Sequence, residues 1–497
     1  MNRTHPSTAI RFARLLALAV VLVLQLAPAA PAAKNVILMI ADGAGENLWL
    51  AAAMYQGRVG AQIYDQPGWA RFSCSTYPLS LSHAPTGDLK QDPALIYDPL
   101  KAWDTTALGA TRGFAGYHWQ TTTPTDSAAA ATALATGKKT YNHAINWSND
   151  GRPMRGLSIA EIAKRCGKSV GVVTTVPWSD ATPAALGGAH NVNRGNHAEI
   201  ANEMLDGGWL DVIMGGGNPD FDDDGQPRHR EHGRDYQWVG GRDTWKSLQE
   251  GKRAWKLVES KADFEALAAG PTPPKVLGTA QVGKALQVKR AIGRAILGNL
   301  VQHPQPFSIP LNNNVPSLAV LSRAAIHCLD DNPKGFYLMI EGGAVDWANH
   351  ANQPERAIEE QVDFVRAVEA VVAWIESHGG WDQTLLILTA DHECGLLWGP
   401  KSRAVPFDPI VDREPNRLPG MAYNSHGHSN SLVPIYARGP GSERFATFVK
   451  ATDGEAAARW RISGRYLDNT DIFAVMRQEV TGTALQGSDG RAAPGQR

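Results

Sequence analysis

Residues 384–393 read TLLILTADHE, a continuous apolar run that ends in an acidic residue and a histidine. A strand that does not alternate apolar with polar residues is buried on both faces, as in a parallel sheet covered by helices. The same pattern, an apolar run followed by polar or glycine-rich residues, recurs at 36–40, 169–176, 211–214 and 336–340. These five runs therefore predict the strands of a mostly parallel sheet.

Helical patterns lie between the apolar runs. The clearest begins near Pro354 and has apolar residues three and four apart as far as Ile375. Alternating strands and helices predict an α/β fold, with a central, mostly parallel, doubly wound sheet flanked by helices and with ligands bound beyond the carboxyl ends of its strands. We expect one such domain over 34–482, with an inserted cap-like region at about 218–315, where the apolar pattern weakens.

The composition is that of an ordinary globular protein. Of 497 residues, 43% are apolar, and 48 Lys plus Arg against 49 Asp plus Glu give a net charge of −1. This balance lacks the basic footprint of a nucleic-acid-binding domain or of a polybasic membrane-surface protein. The final stretch, 483–497, is rich in Gly, Ala, Ser and Pro, and we expect a disordered tail there.

Residues 1–33 have the composition of a secretory signal peptide. Three arginines precede an apolar run of about 12 residues, and small residues spaced A-x-A follow it. Because a membrane span needs roughly 20 apolar residues, we expect export to the periplasm or outside the cell, with no anchor after cleavage. Exported thiols can oxidise, and two disulfides in any of three pairings are open to Cys74, Cys166, Cys328 and Cys394.

Three pairs of residues along the chain have the chemistry of metal ligands. They are Asp391 with His392, Asp346 with His350, and His426 with His428. A spacing of four puts Asp346 and His350 on one face of a helix. Asp42 and Glu341 follow or end two of the apolar runs. Mixed carboxylates and imidazoles suit Zn²⁺, whereas oxygen ligands alone suit Mg²⁺.

Each of these residues also has an ordinary structural interpretation. Asp42 before Gly43 is typical of a turn that closes a strand, and Asp346 alone is typical of a helix cap. Independent turns and caps have no reason to fall together at the edge where parallel strands end. The joint pattern therefore favours a site for several metal ions over a set of unrelated turns.

The candidate nucleophile is Ser127, in the sequence TDSAAAAT at 125–132. The alanine run is a strong helix former, so Ser127 lies at a helix N-terminus, where backbone N–H groups favour an anion such as phosphate. The alternative is that Asp126 or Ser127 is only the helix cap. No G-x-S-x-G motif surrounds the serine, which argues against a conventional Ser-His-Asp hydrolase, and a zinc ion would have to activate it.

Together these motifs resemble those of the secreted, metal-dependent alkaline phosphatases. The resemblance covers nearly all of the expected mature chain except the insertion and the tail. It is carried by Asp42-Gly43, Thr125-Asp126-Ser127-Ala128-Ala129, Asp180-Ala181-Thr182-Pro183, Glu341 through Asp346 to His350, Thr389-Ala390-Asp391-His392, and His428 before Gly439-Pro440. It implies hydrolysis of small phosphate monoesters through a phosphoserine, assisted by one Mg²⁺ and by two Zn²⁺ about 4 Å apart.

The resemblance also implies a role for each site residue. The ligands of the first zinc, which receives the leaving alcohol and later activates water, are Asp346, His350 and His428. The ligands of the second zinc, which activates Ser127, are Asp42, Asp391 and His392. The magnesium ligands are Thr182, Glu341 and a bridging Asp42, with Asp180 holding a water on the ion. Phosphate is gripped by Arg194, whose planar fork suits two oxygens, and Asp126 orients that arginine.

Two positions need comment within this resemblance. His428 is preferred to His426 because it lies eleven residues before Gly439, the spacing that the family shows. Trp347 occupies the position where the best-known bacterial members carry a lysine and some others a histidine. Since an indole supplies no positive charge, we expect weaker binding of substrate and product phosphate and a faster release.

A second metal hypothesis concerns the insertion. Asp220, Asp222, Asp224, Gly225 and Glu231 satisfy the spacing D-x-D-x-D-G-x₅-E of a calcium-binding loop. Glycine-rich sequence precedes it where an EF-hand needs a helix, and a proline within such a loop is unusual. An acidic surface turn is the alternative interpretation.

Other functions remain to be weighed against a phosphomonoesterase. A phosphodiesterase or another esterase of the same superfamily is the main alternative, although diesterases of this group commonly use threonine as nucleophile. A sulfatase requires C/S-x-P-x-R, which is absent after Ser127. A secreted binding protein with structural metals would lack the nucleophile or a ligand, and all are present. The sequence leaves open a homodimeric assembly and the identity of the natural substrate.

Overall fold

The computed structural model describes residues 32–109, 113–228, 232–291 and 304–483. Fifteen strands lie within these ranges. They are β1 (Asn35–Ile40), β2 (Ala70–Ser75), β3 (Ser169–Pro177), β4 (Val212–Gly216), β5 (Lys256–Val258), β6 (Val276–Thr279), β7 (Phe336–Glu341), β8 (Thr384–Thr389), β9 (Glu393–Cys394), β10 (Leu397–Trp398), β11 (Ala422–Tyr423), β12 (His428–Ser429), β13 (Val433–Arg438), β14 (Ala451–Thr452) and β15 (Arg465–Asp468).

Eleven of these strands form one sheet in the order β14-β15-β2-β13-β8-β1-β7-β3-β4-β6-β5. From β8 to β5, every neighbouring pair is parallel. Strand β13 runs antiparallel between β8 and β2, and β14 is antiparallel to β15. The sheet is thus mostly parallel, and the α/β fold expected from the apolar runs is confirmed.

Fourteen α-helices lie in the same described ranges. They are α1 (Glu46–Gln56), α2 (Pro99–Ala102), α3 (Ala115–Thr122), α4 (Ser127–Thr136), α5 (Ile159–Arg165), α6 (Ala181–Leu186), α7 (His197–Asp206), α8 (Arg242–Gln249), α9 (Lys261–Leu267), α10 (Leu318–Leu329), α11 (Ala344–His350), α12 (Pro354–Ser377), α13 (Gly454–Trp460) and α14 (Asn469–Thr481). All residues of β1, β7 and β8 are buried, so both faces of the sheet centre are covered.

The five predicted strands correspond to β1, β3, β4, β7 and β8, each within two residues of its expected ends. Their apolar side chains are fully buried, and burial of one such side chain stabilises the fold by roughly 1.5–3 kcal/mol. The predicted long helix is α12, whose apolar stripe packs against α10, α11 and α1. The hydrophobic pattern alone therefore located the elements that hold the sheet centre together.

The region expected as an insertion, 218–315, does more than decorate the sheet. It supplies β6, which pairs in parallel with β4, and β5 beyond it, so it extends the central sheet by two strands. It is also tied to α12 through one carboxylate. Arg290 Nη2 and the backbone N–H of Phe307 both donate to Glu359, each over 2.6 Å.

Several expectations concern residues at the chain ends and the thiols. The expected signal peptide lies outside the described residues except for its last two positions, and so does the expected tail except for residue 483. In the described part of the chain, no helix has both the length and the apolar character needed to cross a membrane. All four cysteines are free thiols, so the structure contains neither of the two disulfides that the sequence allowed.

A group of aromatic side chains packs beside α3. The ring centroids of Trp103 and Phe407 are 4.9 Å apart, and those of Trp103 and Trp398 are 5.8 Å apart. Trp398 in turn stacks on Trp460 with centroids 6.0 Å apart. The hydroxyl of Tyr117 in α3 accepts a hydrogen bond from Phe407 N over 2.7 Å. This aromatic cluster fixes the position of α3.

Candidate active site

Three neighbouring parallel strands bring the acidic site residues to one edge of the sheet. Ile40 of β1 lies level with Glu341 of β7 on one side and with Thr389 of β8 on the other. Asp42 and the pair that follows Thr389 therefore emerge side by side. Gly43 allows the close approach of α11, because a Cβ atom there would lie 2.7 Å from Asp346 Oδ1. Its φ of +70° also favours glycine.

Three oxygen atoms converge on one nitrogen, Nε2 of the fully buried His392. Ser127 Oγ lies 3.1 Å away, Asp391 Oδ2 3.2 Å and Asp42 Oδ1 3.5 Å. The other ring nitrogen, Nδ1, has no hydrogen-bond partner in the part of the chain that the structure describes. In a Ser-His-Asp triad the acid contacts the nitrogen opposite the serine, so this is not a triad. Several ligand atoms aimed at one point are instead the arrangement of a metal site.

A second convergence joins the residues expected to hold the first zinc. His350 Nε2 lies 3.4 Å from Asp346 Oδ2, and His428 Nε2 lies 3.5 Å from Asp346 Oδ1. The Nδ1 atoms of both rings face backbone carbonyls, at 2.5 Å from His426 O and 2.9 Å from Thr125 O. Because a carbonyl only accepts, both Nδ1 atoms carry a proton, so Nε2 is the atom through which each ring can bind a cation. The two Nε2 atoms lie 3.0 Å apart, so a single cation can bind both.

The carboxylate oxygens of this region are poorly satisfied by the protein. Asp42 Oδ1, Asp346 Oδ1 and Asp391 Oδ2 are buried and have no hydrogen-bond partner among the described residues. Burial, with the charge of Asp346 added, raises the pKa of Asp391 to about 6. Burial first and Asp391 second raise the pKa of Asp42 as well. Burying unpaired carboxylates is costly unless cations compensate them, so these residues fit metal ions.

Asp346 belongs to both convergences. Ligand atoms of Asp346, His350, His428 and Cys394 lie within 4.8 Å of one another, and so do those of Asp346, Asp42 and His392. Burial opposes ionisation of Asp346, but His428 beside it lowers the pKa of that carboxyl below its usual value. It is therefore ionised where the two groups meet.

Cys394 was not among the expected site residues. Only its position two residues after His392 in the sequence could have indicated it. Burial, followed by the charges of Asp346 and Glu393, raises the pKa of the Cys394 thiol well above its usual value. A metal ligand would have to be the thiolate, whereas burial and these two carboxylates favour the neutral thiol in the chain without metal ions.

Besides Asp42, the residues expected around magnesium are Thr182, Glu341 and Asp180. These three lie beside the group formed by Asp42, Asp391 and His392. Glu341 accepts a short hydrogen bond from Thr174 Oγ1, and the hydroxyl of Thr182 also favours its ionised form. Burial nevertheless raises the pKa of Glu341 to about 8, and the charges of Asp391 and Asp180 act in the same direction. An oxygen-only set of this kind suits Mg²⁺ better than Zn²⁺.

Ser127 is the first residue of α4, and Asp126 is its N-cap. Asp126 Oδ1 accepts from Ala129 N over 3.0 Å, while Oδ2 lies 3.2 Å from Arg194 Nη1. The other arm of the fork, Arg194 Nη2, lies 3.2 Å from Asp180 Oδ1. Although burial opposes its charged form, Asp180 and Asp126 raise the pKa of Arg194 above its usual value. A charged guanidinium is thus held beside the serine.

One residue that the sequence did not indicate links Asp126 to Arg194. The backbone N–H of His143 donates to Asp126 Oδ1 over 3.0 Å, and its carbonyl accepts from Arg194 N over 2.8 Å. His143 adopts a φ of 74°, a left-handed conformation that is uncommon outside glycine. No sequence pattern marks such a position, because its contribution comes from the backbone.

Trp347 is half-buried and directly follows Asp346, an expected metal ligand. Lys289 Nζ, from the insertion, lies 5.4 Å from the centroid of its ring. Position 347 thus has a cation nearby, which the sequence resemblance to the family did not reveal. His426 is not part of either ligand group, whereas His428 is.

The residues of the expected calcium loop are held differently. Asp220 Oδ2 accepts from Trp245 Nε1 and Gln249 Nε2, over 2.8 Å each. The remaining donors are backbone N–H groups, from Asp224 and Gln226 to Asp222 Oδ1, and from Ala291 to Asp224 Oδ1. Glu231 lies outside the described residues. We call the segment 220–224 the acidic turn, and these contacts lend calcium binding no support.

Comparisons with known proteins identify the family of this chain. A family model described as alkaline phosphatase matches residues 104–408. Alkaline phosphatase 3 of Bacillus subtilis is 32% identical over 395 residues, covering 66% of this chain and 75% of the relative. The alkaline phosphatase of Escherichia coli is 30% identical, with coverages of 66% and 72%.

Solved structures give the same answer over a longer part of the chain. The alkaline phosphatase from the Antarctic bacterium TAB5 superimposes with a TM-score of 0.58 at 26% identity, covering 91% of this chain and 99% of that one. The family model itself spans more than half of the chain. This protein therefore belongs to the alkaline phosphatase family, and it hydrolyses phosphate monoesters.

Proposed function

We propose that this phosphomonoesterase acts through a phosphoserine formed on Ser127, with two zinc ions and one magnesium ion in the ligand sets described above. One observation carries the proposal. Ser127 Oγ, Asp42 Oδ1 and Asp391 Oδ2 all lie against His392 Nε2. A nucleophile and a cation site therefore meet at one point, with the guanidinium of Arg194 beside them.

The chain's own groups account for binding and orientation. The fork of Arg194 binds two oxygens of the phosphoryl group, and Ser127 lies at the N-terminus of α4, where the helix dipole favours an anion. Asp126 and Asp180 hold the guanidinium in place from either side. When bound, the metal ions lower the pKa of the serine hydroxyl and of water and stabilise the leaving oxygen.

The reaction then has two displacements. Ser127 Oγ forms a bond to phosphorus as the bond from phosphorus to the ester oxygen breaks, and the alcohol leaves with a proton. Water next attacks the phosphoserine, which releases inorganic phosphate and restores the hydroxyl. Two easier steps thus replace one difficult step.

The proposal includes export from the cytoplasm. The arginines, apolar run and small residues of 1–33 support it as the sequence of a secretory signal. N-terminal sequencing of the protein from the periplasm or the culture medium tests this part, and a retained residue 1 in that fraction contradicts it.

The test of the mechanism compares wild type, Ser127→Ala and, as a control, Ser82→Ala in an exposed loop. We expect wild type and the control to hydrolyse p-nitrophenyl phosphate and to gain the mass of one phosphoryl group after acid quenching. We expect Ser127→Ala to do neither while its zinc and magnesium contents stay normal. A labelled Ser127→Ala protein contradicts the assignment of the nucleophile.

A further inference from the structure

A cavity of about 480 Å³ opens beside the first zinc position. One wall is the start and exposed face of α3, and the other is formed by two loops. The residues that line it include Phe114, Tyr117, His118, Arg403, Asn424 and His426. We call this space the side cavity. Its volume is within the range of small-molecule sites, and it is far larger than a single water needs.

The side cavity and the ligand group share a segment of chain. His426 lines the cavity, while its carbonyl oxygen accepts from His350 Nδ1 over 2.5 Å. Its own Nδ1 lies 3.3 Å from His350 O. On the opposite wall, α3 ends five residues before Ser127. The cavity is therefore joined to the candidate active site through His426.

The charge of the cavity is uncompensated. Arg403 is exposed, and it forms no hydrogen bond or ion pair through its side chain with the described residues. The imidazole of His118 has no hydrogen bond within the same part of the chain. No carboxylate belongs to the described residues that line the space. A guanidinium without a partner can bind a carboxylate or a phosphate through two parallel hydrogen bonds, as a bidentate pair.

The walls near this cation are aromatic. Phe114 and Tyr117 pack edge to face with centroids 5.5 Å apart, and the Tyr117 hydroxyl is already engaged with Phe407 N. Tyr117 thus offers a fixed ring and not a free polar group. An apolar or aromatic body with an anionic end matches this arrangement of rings and guanidinium.

We propose that the side cavity receives the alcohol part of the substrate and selects alcohols that carry a second anionic group. The proposal rests on the proposed function, in which the leaving alcohol lies at the first zinc; His350, an expected ligand of that zinc, contacts His426 of the cavity wall. The substrate class is therefore a phosphate monoester whose alcohol also carries a carboxylate or a second phosphate group. Arg403 determines this specificity without touching the reacting atoms.

The test uses two substrates that differ by one carboxylate, phenyl phosphate and 4-carboxyphenyl phosphate. The quantity compared is the ratio of their kcat/KM values, in wild type and in Arg403→Ala. We expect the variant to lower this ratio by about fivefold while phenyl phosphate turnover is unchanged, as for one exposed charge pair. Arg417→Ala, which removes an exposed arginine outside the cavity, is the matched control and leaves the ratio unchanged.

A binding measurement keeps the proposal separate from turnover. Calorimetry with phenylphosphonate and 4-carboxyphenylphosphonate, on metal-loaded protein, gives the same comparison without chemistry. We expect tighter binding of the carboxylated ligand by wild type and by Arg417→Ala only, with the difference shrinking at high salt. An Arg403→Ala protein that keeps the preference overturns the proposal, as does an equal loss with both ligands. Absence of all turnover with the preference intact would instead contradict the proposed function.

Discussion

Two acidic regions follow parallel strands of the same sheet, the strand-end site around Asp42 and Asp391 and the acidic turn after β4. In the acidic turn, protein N–H groups donate to the carboxylates of Asp220, Asp222 and Asp224. In the strand-end site, three buried carboxylate oxygens have no hydrogen-bond partner in the described part of the chain and lie against imidazole nitrogens. The acidic turn thus has protein donors for its carboxylates, whereas the strand-end site buries carboxylate oxygens without them.

This contrast indicates how a metal site can be separated from an acidic surface. Both regions satisfy a sequence spacing for metal ligands, so spacing does not distinguish them. What distinguishes them is whether carboxylate oxygens are buried without a donor from the described residues. Since an oxygen that accepts a protein N–H gains less from a cation, the donor inventory of the folded chain predicts which region binds metal.

The largest expected effect is that of Asp346→Asn, because Asp346 is shared by both zinc groups. We expect zinc content to fall at both positions and kcat/KM for p-nitrophenyl phosphate to fall at least about 1,000-fold, or about 4 kcal/mol. Metal analysis and steady-state kinetics measure this. Asp222→Asn in the acidic turn is the matched control. If it loses as much zinc, the contrast between the two regions is wrong.

The next effect concerns the stability of metal-free protein as a function of pH. Burial raises the pKa of Glu341 to about 8, so its contribution is present below its unfolded pKa of about 4.5 and is lost as the pH rises through 8. We expect Glu341→Gln to stabilise the chelated protein by roughly 2–4 kcal/mol at pH 9 and by little at pH 4. Urea unfolding at both values measures the difference, and an equal effect at the two contradicts it.

A third effect compares two cations on the chelated wild-type protein. We expect zinc at 100 times its Kd to stabilise the fold by about 2.7 kcal/mol, and calcium to change the melting temperature little at the acidic turn. Differential scanning calorimetry in matched buffers measures both. A calcium shift that disappears in Asp222→Asn would restore the calcium loop and remove the distinction drawn above.

The smallest expected effect is on the binding of inorganic phosphate, for which the strand-end site has the indole of Trp347 in place of a cation. We expect Trp347→Lys to strengthen inhibition by inorganic phosphate about threefold to fivefold, since it adds one partly exposed charge. Inhibition constants at one pH and salt concentration measure this. Lys289→Gln, which removes the cation near the indole, should shift the constant in the opposite direction. Unchanged inhibition in Trp347→Lys removes the idea.

Much of the fold could be predicted because its central strands are apolar throughout. The runs that became β1, β7 and β8 need no partner in sequence to be recognised. The antiparallel strand β13 and the short β5 escaped prediction, because their place in the sheet is decided by contacts with distant strands. The weak pattern of the insertion hid its two strands for the same reason.

For the site, motifs predicted which residues the structure brings together, and they missed those that act through space. Asp346 and His350 share a helix face, so their spacing was informative. Lys289, by contrast, reaches Trp347 from 58 residues away in sequence, and His143 acts through its backbone. No local pattern encodes either. The roles of the ligands themselves remain predictions that the variants above test.

The aromatic cluster beside α3 gives the protein an optical property of its own. Trp103, Trp398 and Trp460 form a chain of indoles with centroids no more than 6.0 Å apart. Indoles this close couple their electronic transitions, so together they contribute a circular dichroism band that isolated tryptophans lack. Because Phe407 joins these rings to Tyr117, the band reports on the wall of the side cavity. Loss of this band on heating would show at which temperature that wall detaches, separately from the melting of the sheet.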